Sequence, residues 1–302
     1  MTTSRKFLPS IQFHPLFIVF AGIALLTGAF VELLTIVIIV VIHEFGHFAA
    51  ARYFAWRIRR MYMWIFGAIM ETDEHGVRPI REECIVIIAG PLQHVWIYGV
   101  AFFLQYNELL PPTVVQGIFF YNTVILLFNL LPIWPLDGGK LLYLFLTSIL
   151  PYQKGYERTL LISQISCIGI GVVLLLFYYF HIQLLFMMGF LFLEVWREWR
   201  KKQYVYMRFL LHRLHGQPYV NNKHIIQASP HTTIDHVLTQ FRREKEHFIA
   251  IPQYLSTLHS IKNPFHEKVC LHYYFYNDGF AHTVDDVYQS QFVQPTARLQ
   301  IK

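Results

Sequence analysis

The chain has 302 residues, of which 55% are hydrophobic and only 15% are charged. Because soluble domains average about 25% charged residues, this composition excludes an ordinary soluble enzyme and predicts a polytopic membrane protein. The three cysteines (Cys84, Cys167 and Cys270) form no C-x-x-C pair, which excludes a disulfide framework and a thiolate metal site. The net charge of +6 is distributed unevenly, and its distribution predicts the membrane topology.

Six apolar runs are candidates for transmembrane helices. Lys and Arg occur before the first run, in the second and fourth connections and after the sixth run, whereas the other connections contain neither. Cytoplasmic loops carry an excess of Lys and Arg, so both termini are predicted to be cytoplasmic. No small-residue cleavage site follows Arg5 and Lys6, which predicts a retained first span rather than a removed signal peptide. The six runs cover residues 12–29, 31–53, 84–105, 113–134, 160–178 and 180–196.

The second run contains the sequence HEFGH, residues 43–47. Positions i and i+4 of a helix share one face, so His43 and His47 can bind the same Zn²⁺ ion. Glu44 lies next to them and could act as general base towards a metal-bound water, whose pKa zinc lowers to about 7. Ionisable groups in an apolar helix are costly unless they are paired or bind a metal. A pair of interhelical hydrogen-bonding histidines is the alternative interpretation.

A catalytic zinc site needs a third protein ligand and an open coordination position. The best candidate is Asp137 in NLLPIWPLDGGK, residues 129–140. The second and fourth runs both lead towards the cytoplasm, so Asp137 and His47 are expected at the same side of the membrane. Two prolines should end the fourth helix, and Gly138 and Gly139 permit a tight turn that brings Asp137 to the depth of the histidines. The alternative is an ordinary turn aspartate before two glycines.

The composition changes from about residue 204, and residues 204–302 are predicted to form a small cytosolic α/β domain. Residues 229–248 have apolar positions at helical spacing and predict a helix start capped by Ser229 or Thr232. KVCLHYYFYND (268–278) is rich in β-forming residues and ends in a turn signal, which predicts a short strand. No basic helix or recognition motif indicates nucleic-acid binding in this region.

H-E-x-x-H in one apolar run and N-x-x-P with L-D-G on a later one resemble the site-2 protease family of intramembrane zinc metalloproteases. AGPLQHVW (89–96) is similar to the family's Ala-Gly-Pro segment on the helix between them. The resemblance covers about residues 10–200, and the six-span layout with a cytosolic tail is similar to the sporulation subgroup. The family often has Asn where this chain has His94. The role of His94 therefore stays open between an interhelical hydrogen bond and an extra zinc ligand.

The resemblance implies a role for each residue that matches the family's motifs. The fold implied is a polytopic α-helical membrane protein with six transmembrane helices. The implied site residues are the zinc ligands His43, His47 and Asp137, the general base Glu44, and the cleft-lining residues Asn129 and Pro135.

The resemblance also implies a structure for IRRMYMWIFGAIMETDE, residues 58–74, which is apolar but too short to span a membrane. This segment would form a re-entrant β-hairpin around Gly67 that dips into the membrane beside the site. Its free strand edge could pair with an extended substrate by β-augmentation. An interfacial amphipathic segment is the alternative.

A substrate, partners and a tail function follow from the resemblance to the sporulation subgroup. The substrate would be the membrane-associated pro-sequence of the sigma factor K precursor, cleaved in the mother-cell membrane around the forespore, and membrane proteins would inhibit the enzyme. Residues 204–302 would form a CBS-type regulatory domain after a protease domain of residues 1–203. Such modules often bind adenine nucleotides. The alternative is a plain dimerisation or substrate-docking domain. With a dimerisation domain, the protein could form a homo-oligomer. The nearest candidates for nucleotide contacts are Thr232, Thr233, Asp285 and Asp286.

Two classes of function compete. The first is a zinc endopeptidase that cleaves a membrane-associated pro-protein, and the second is a non-enzymatic metal transporter or sensor with a regulatory tail. A transporter predicts a metal path across the bilayer, but the candidate ligands lie towards one face and no acidic chain leads to the other. This asymmetry favours hydrolysis. An inactive scaffold that retained the site is a third, weaker interpretation.

Overall fold

A computed structural model describes residues 10–13, 22, 24–64, 67–72, 74, 76–177, 182–216, 222–251, 264–277 and 282–292. These ranges are mainly helical and divide into two compact units. The first unit comprises Met1–His75, Ile80–Leu144 and Ile162–Val195. The second comprises Gly76–Pro79, Phe145–Leu161 and Trp196–Lys302.

The helices of this part of the chain are α1 (Phe30–Tyr53), α2 (Ile80–Tyr106), α3 (Pro112–Asn129), α4 (Asp137–Ile149), α5 (Tyr152–Phe177) and α6 (Ile182–His215). Four helices in the described ranges are long and apolar enough to cross a membrane: α1, α2, α3 and α5. Helix α6 is not among them because its apolar stretch is interrupted at Glu194, followed by Arg197 and Glu198.

Helices α1 and α2 have large apolar side chains on their outer surfaces and polar side chains inside. Phe45 is 63% exposed and Trp96 is 71% exposed, whereas His43 and His94 are buried. Helices of soluble proteins show the opposite arrangement, with the polar face turned to water. The outer surfaces of these helices are therefore suited to lipid, and the polar groups between them must satisfy one another.

The predicted second to fifth spans correspond to α1, α2, α3 and α5, with different ends. Helix α3 stops at Asn129 because Pro132 and Pro135 follow, and α5 begins at Tyr152 rather than at residue 160. The prediction for residues 12–29 is wrong at its start, where the chain forms a strand instead. Residues 14–21 and 23 lie outside the described residues. The total of six spans therefore stays a prediction.

A three-stranded sheet belongs to the first unit. Its strands are β1 (Ser10–Phe13), β2 (Ile58–Trp64) and β3 (Gly67–Thr72), in the order β1-β2-β3. Strands β2 and β3 are antiparallel, with Gly67 opposite Trp64, and β1 is parallel to β2. Strand β3 lies against α1. Among the described residues, no strand pairs with the outer edge of β3, and the position of this sheet relative to a membrane stays a prediction.

Two glycines allow α1 and α2 to approach each other closely. A Cβ atom on Gly46 would lie 2.3 Å from the carbonyl oxygen of Ala89 and 2.7 Å from Cγ of Gln93. A Cβ atom on Gly90 would lie 2.2 Å from Nε2 of His47. Small residues at helix contacts are a common way to pack membrane helices. Here they bring the HEFGH segment against the Ala-Gly-Pro segment.

The C-terminal part of the second unit contains both strands and helices. Its elements are β4 (Asn222–Gln227), α7 (Ile234–Leu238), β5 (Lys245–Ala250), β6 (Phe265–His266), α8 (Glu267–Tyr276) and α9 (Val284–Phe292). The sheet has the order β4-β5-β6, with β4 and β5 parallel and β5 and β6 antiparallel. Helix α7 is preceded by Thr233 at the N-cap position, without a side-chain hydrogen bond, so the predicted caps Ser229 and Thr232 are wrong. A separate cytosolic domain over residues 204–302 stays a prediction.

The predicted strand over 268–278 is wrong, because the described residues of this segment lie in α8 and the turn that follows it. Cys270, Leu271 and Tyr274 are buried at helical spacing, which places one apolar face of α8 against the core. The side chain of His266 caps the helix by accepting a hydrogen bond of 3.1 Å from the amide of Lys268. The burial pattern and the cap override the high β-propensity of the aromatic residues.

A buried ionic network holds the C-terminal end of α6 to the tail sheet. The guanidinium of Arg213 donates two hydrogen bonds of 2.8 Å to the two carboxylate oxygens of Glu267. Glu267 also lies 2.7 Å from Nδ1 of His247 and accepts a hydrogen bond from the His247 amide. All three side chains are buried, so the network can be stable only because each charge is paired.

We expect Gly46→Ala to destabilise the protein, because the added methyl group would overlap backbone atoms of α2. Overpacking of this kind costs about 1–3 kcal/mol. Gly99→Ala, on α2, is the matched control: a Cβ atom there meets nothing within 4 Å in the described part of the chain, and Ala is the better helix former. Thermal unfolding of the full chain in detergent should show a lower Tm for Gly46→Ala only. Equal Tm values for both variants would contradict the close-approach explanation.

We expect acid to destabilise the tail through His247 and Glu267. Burial lowers the pKa of His247 below its ordinary 6.5. Burial alone would raise the pKa of Glu267, but the hydrogen bond with His247 and the charge of Arg213 together lower it below the ordinary 4.5. For both groups the unfolded chain binds protons more readily than the folded chain. The stability that the two groups contribute above about pH 6.5 is therefore lost progressively as the pH falls.

Hydrogen exchange of residues 222–250 in the full chain, corrected for the intrinsic rate, measures this effect. Protection should be lower at about pH 5.5 than at about pH 7.5. His247→Gln should reduce the difference, because glutamine does not titrate. The exposed His231, changed to Gln, is the control and should leave the difference unchanged. Equal protection of the unmodified protein at both pH values would refute the prediction.

Candidate metal centre

Two histidines of α1 and the first residue of α4 converge on one point. Nε2 of His43 lies 3.1 Å from Nε2 of His47, and each of these atoms lies 3.1 Å from Oδ2 of Asp137. The three side chains are buried. The structure therefore brings together all three residues that the sequence predicts as metal ligands.

The loop between α3 and α4 places Asp137, and the two glycines after it make the placement possible. A Cβ atom on Gly138 would lie 2.2 Å from the carbonyl oxygen of Leu130, and one on Gly139 would lie 2.4 Å from the carbonyl carbon of Ile133. Both glycines belong to the first turn of α4, and neither has a positive φ. The predicted tight turn is therefore the wrong explanation: the glycines are needed because the loop backbone packs directly on this helix turn.

The ring of His47 is held by the backbone of α2. Nδ1 of His47 lies 2.8 Å from the carbonyl oxygen of Val86. A carbonyl oxygen only accepts hydrogen bonds, so Nδ1 carries the proton and the neutral ring has its lone pair on Nε2. Gly90 lies under the same ring, where any side chain would displace it.

Two charged side chains complete the centre. The ligand atoms of His43, Glu44 and His47 lie within 4.8 Å of one another, which puts the Glu44 carboxylate beside the three converging atoms. Nζ of Lys140 lies 3.2 Å from Oδ1 of Asp137 and leaves Oδ2 to face the histidines. Lys140 is not among the predicted site residues, although its i, i+3 spacing from Asp137 on a helix is a recognised signal for an ion pair.

The arrangement fits a zinc ion. Tetrahedral zinc with bonds of about 2.0–2.1 Å places its ligand atoms about 3.3 Å apart. The observed separations of 3.1 Å are close to this value. Two imidazoles and one carboxylate form a donor set typical of catalytic zinc, which keeps a further position open. In the described part of the chain, His43, Glu44 and His47 also form a group of side chains that could hold a metal ion, and this group supplies two of the three converging atoms.

The remaining predicted site residues have different positions. His94 is buried with its Nε2 3.0 Å from Nδ1 of His43, which confirms the predicted interhelical hydrogen bond and turns this nitrogen away from the converging atoms. Asn129 ends α3 and donates a hydrogen bond to the carbonyl of Ile125 in its own helix. Pro135 lies in the α3–α4 loop and is partly buried, and Gly67 opens β3. Substrate contacts of these last three residues stay predictions.

The structure brings together the four residues predicted for nucleotide contacts. Thr233 forms an isolated β-bridge with Thr283, and the carbonyl of Thr232 accepts a hydrogen bond from the amide of Val284. The carboxylate of Asp286, however, is already engaged by the amide and hydroxyl of Thr283 at 2.7 and 2.9 Å. These contacts account for Asp286 as a local helix cap and do not support an adenine nucleotide.

Comparisons with known proteins agree with the geometry. The model of peptidase family M50 matches residues 31–112 and 108–178, which include HEFGH and Asp137. Stage IV sporulation protein FB of Bacillus subtilis (strain 168) is 38% identical over 270 residues, covering 88% of this chain and 91% of that protein. A zinc metalloprotease of Methanocaldococcus jannaschii is 26% identical over 182 residues, covering 55% of this chain and 50% of the relative.

A solved structure shows the same fold. The site-2 protease from Methanocaldococcus jannaschii superposes with a TM-score of 0.51 at 23% identity, over 62% of this chain and 89% of that one. The converging ligands, the apolar helices and a 38% identical relative matched over most of its length lead to one conclusion. The chain is an integral membrane metalloprotease and belongs to peptidase family M50, the site-2 protease family.

Proposed function

We propose that this protein is a zinc endopeptidase in which His43, His47 and Asp137 hold the metal and Glu44 is the general base. The observation that carries the proposal is the triangle of three buried ligand atoms, each 3.1 Å from the other two. Zinc bound there would supply Lewis acidity, which polarises a carbonyl group and activates water near neutral pH.

The nearness of the Glu44 carboxylate to His43 and His47 supports the role of general base that we propose for it. Its carboxylate lies beside the histidine nitrogens and can take a proton from an attacking water molecule. The water oxygen then adds to the scissile carbonyl carbon, and the bond to nitrogen breaks as Glu44 returns the proton to the leaving amine. Lys140 holds Asp137 in place by pairing with its second carboxylate oxygen.

A metal transporter or sensor is less well supported. Transport needs a succession of polar or acidic groups across the bilayer. In the described ranges, the metal-binding cluster lies at one point between α1, α2 and α4. Family membership also favours a peptidase over a transporter.

The substrate that we propose is the membrane-associated pro-sequence of the sigma factor K precursor. The 38% identity with stage IV sporulation protein FB supports a role in sporulation. The enzyme would lie in the mother-cell membrane around the forespore, with both termini in the cytoplasm. Partner proteins in the same membrane would inhibit it. The basic second and fourth connections between the apolar runs support this orientation.

Substrate would bind in extended form near β3. The outer edge of β3 is unpaired among the described residues, and this strand lies against α1, the helix that contains HEFGH. Strand addition at such an edge would supply backbone hydrogen bonds independent of sequence. Gly67 opens this strand, and Asn129 and Pro135 would line the cleft from the α3–α4 side.

We further propose that residues 1–203 are the protease domain and residues 204–302 a CBS-like regulatory domain. The parallel pair β4–β5 connected through α7, followed by β6 and α8, supports this division. A role in docking substrate or in forming a homo-oligomer fits the same fold. A nucleotide ligand has no support from the contacts of Asp286 described above.

Glu44→Gln should strongly slow cleavage while leaving zinc bound, because it removes the base and not a ligand. The expected loss of rate is about 100- to 10,000-fold. Asp137→Asn should lose both zinc and cleavage, since it replaces a charged ligand. Zinc content of the purified protein and cleavage of a co-expressed tagged substrate measure the two effects. Glu32→Gln, an exposed position on the same helix, is the matched control and should cleave normally. Normal cleavage by well-expressed Glu44→Gln would disprove the catalytic assignment.

The proposed substrate has its own test. Co-expression with a tagged sigma factor K precursor should release a shortened product that depends on Glu44. A precursor without its pro-sequence and an unrelated single-span membrane protein should remain intact. If the unrelated protein is cleaved and the precursor is not, the enzyme assignment stands and the substrate assignment is wrong.

A further inference from the structure

We propose that His94 and Asn122 form a hydrogen-bonded chain that fixes the tautomer and ring orientation of His43, and so act as positioning residues for zinc binding. The inference rests on the proposed function, since it concerns the ligands of the proposed zinc site. It adds two residues that neither bind the metal nor lie in the HEFGH and LDGG motifs.

The chain connects three helices. Nδ1 of His43, on α1, lies 3.0 Å from Nε2 of His94, on α2. Nδ1 of His94 lies 2.7 Å from Oδ1 of Asn122, on α3, and Nδ2 of Asn122 donates a hydrogen bond of 3.2 Å to the carbonyl oxygen of His94. His94 and Asn122 have no exposed surface, and His43 is 2% exposed. Each hydrogen bond is therefore protected from exchange with solvent.

The direction of every proton in the chain follows from one backbone carbonyl. The His94 carbonyl only accepts, so it must face the NH₂ group of Asn122, and Oδ1 of Asn122 must face His94. Oδ1 accepts the proton on Nδ1 of His94, which leaves a lone pair on Nε2 of that neutral ring. This lone pair accepts the proton on Nδ1 of His43. The remaining lone pair of His43 is then on Nε2, the atom that faces His47 and Asp137.

Helix α2 thus orients both histidine ligands without supplying a ligand itself. His47 reaches it directly through the carbonyl of Val86, and His43 reaches it through the His94 side chain. Partners of this kind, hydrogen-bonded to the second nitrogen of a ligating histidine, fix its tautomer and raise its basicity. Their loss typically lowers metal affinity about 10- to 100-fold.

The competing explanation is that the chain serves only to pack the helices. A second polar contact between α2 and α3 provides the comparison. The hydroxyls of Tyr98 and Thr123 are 2.7 Å apart. Tyr98 lies one helical turn after His94 and Thr123 lies one position after Asn122, and neither residue belongs to the metal centre. Tyr98→Phe removes an α2–α3 hydrogen bond and leaves His43 untouched. It is therefore the matched control for a purely structural effect.

Three variants separate the explanations. Asn122→Leu keeps the branched side chain and its number of heavy atoms but cannot accept the proton of His94, and His94→Phe removes the acceptor of His43. Both should weaken zinc binding about 10- to 100-fold and alter the absorption bands of the Co²⁺-substituted protein. Tyr98→Phe should match the unmodified protein in both measurements.

The measurements use the full chain purified in detergent, with zinc affinity determined by competition against a chromophoric chelator. Unmodified zinc affinity and Co²⁺ bands in Asn122→Leu or His94→Phe would overturn the inference. Equal weakening in Asn122→Leu and Tyr98→Phe would also overturn it, because the effect would then come from helix packing and not from the orientation of His43. An unmodified protein that binds no stoichiometric zinc would instead overturn the proposed function, and this outcome is distinct from the other two.

Discussion

Three lone pairs that point at one another inside an apolar helix bundle repel unless a cation lies between them. In this protein the lone pairs belong to His43, His47 and Asp137, which are buried and 3.1 Å apart. Water cannot screen such a cluster, and unpaired ionisable groups at this depth are costly. The rest of the first unit holds these atoms in their mutual orientation, and close backbone packing at small residues is a large part of how it does so.

Close backbone approach is the means by which the unit achieves this orientation. Gly46 and Gly90 allow α1 and α2 to meet, and Gly138 and Gly139 allow the α3–α4 loop to lie on the first turn of α4. Packing of this kind needs no hydrophobic driving force, which lipid does not supply between helices. Lipid offers no hydrogen-bond partners, and for this reason polar residues are turned inwards while large apolar residues such as Trp96 remain outside.

The sequence predicted the convergence of His43, His47 and Asp137 because the signals are local: histidines at i and i+4 in an apolar run, and an aspartate after helix-breaking prolines. It could not predict Asn122, because an asparagine in an apolar run has no pattern of its own and its partner His94 lies 28 positions away. The tail shows the opposite failure. Aromatic residues of 268–278 have high β-propensity, but burial of Cys270 and Tyr274 at helical spacing determines a helix. The strand Ser10–Phe13 was hidden in a longer apolar run, because its partner β2 is distant in sequence.

The dependence of both histidines on α2 makes the centre sensitive to separation of α2 from α1. The bonds from His47 to Val86 and from His43 to His94 measure 2.8 and 3.0 Å. A movement of α2 by about 1 Å along the direction of these bonds would take both beyond the range of a good hydrogen bond. The two rings would then be released together, although none of the three converging side chains had been altered. A molecule that bound the outer apolar surface of α2 and drew this helix away from α1 would therefore disrupt the centre from outside, without resembling a substrate.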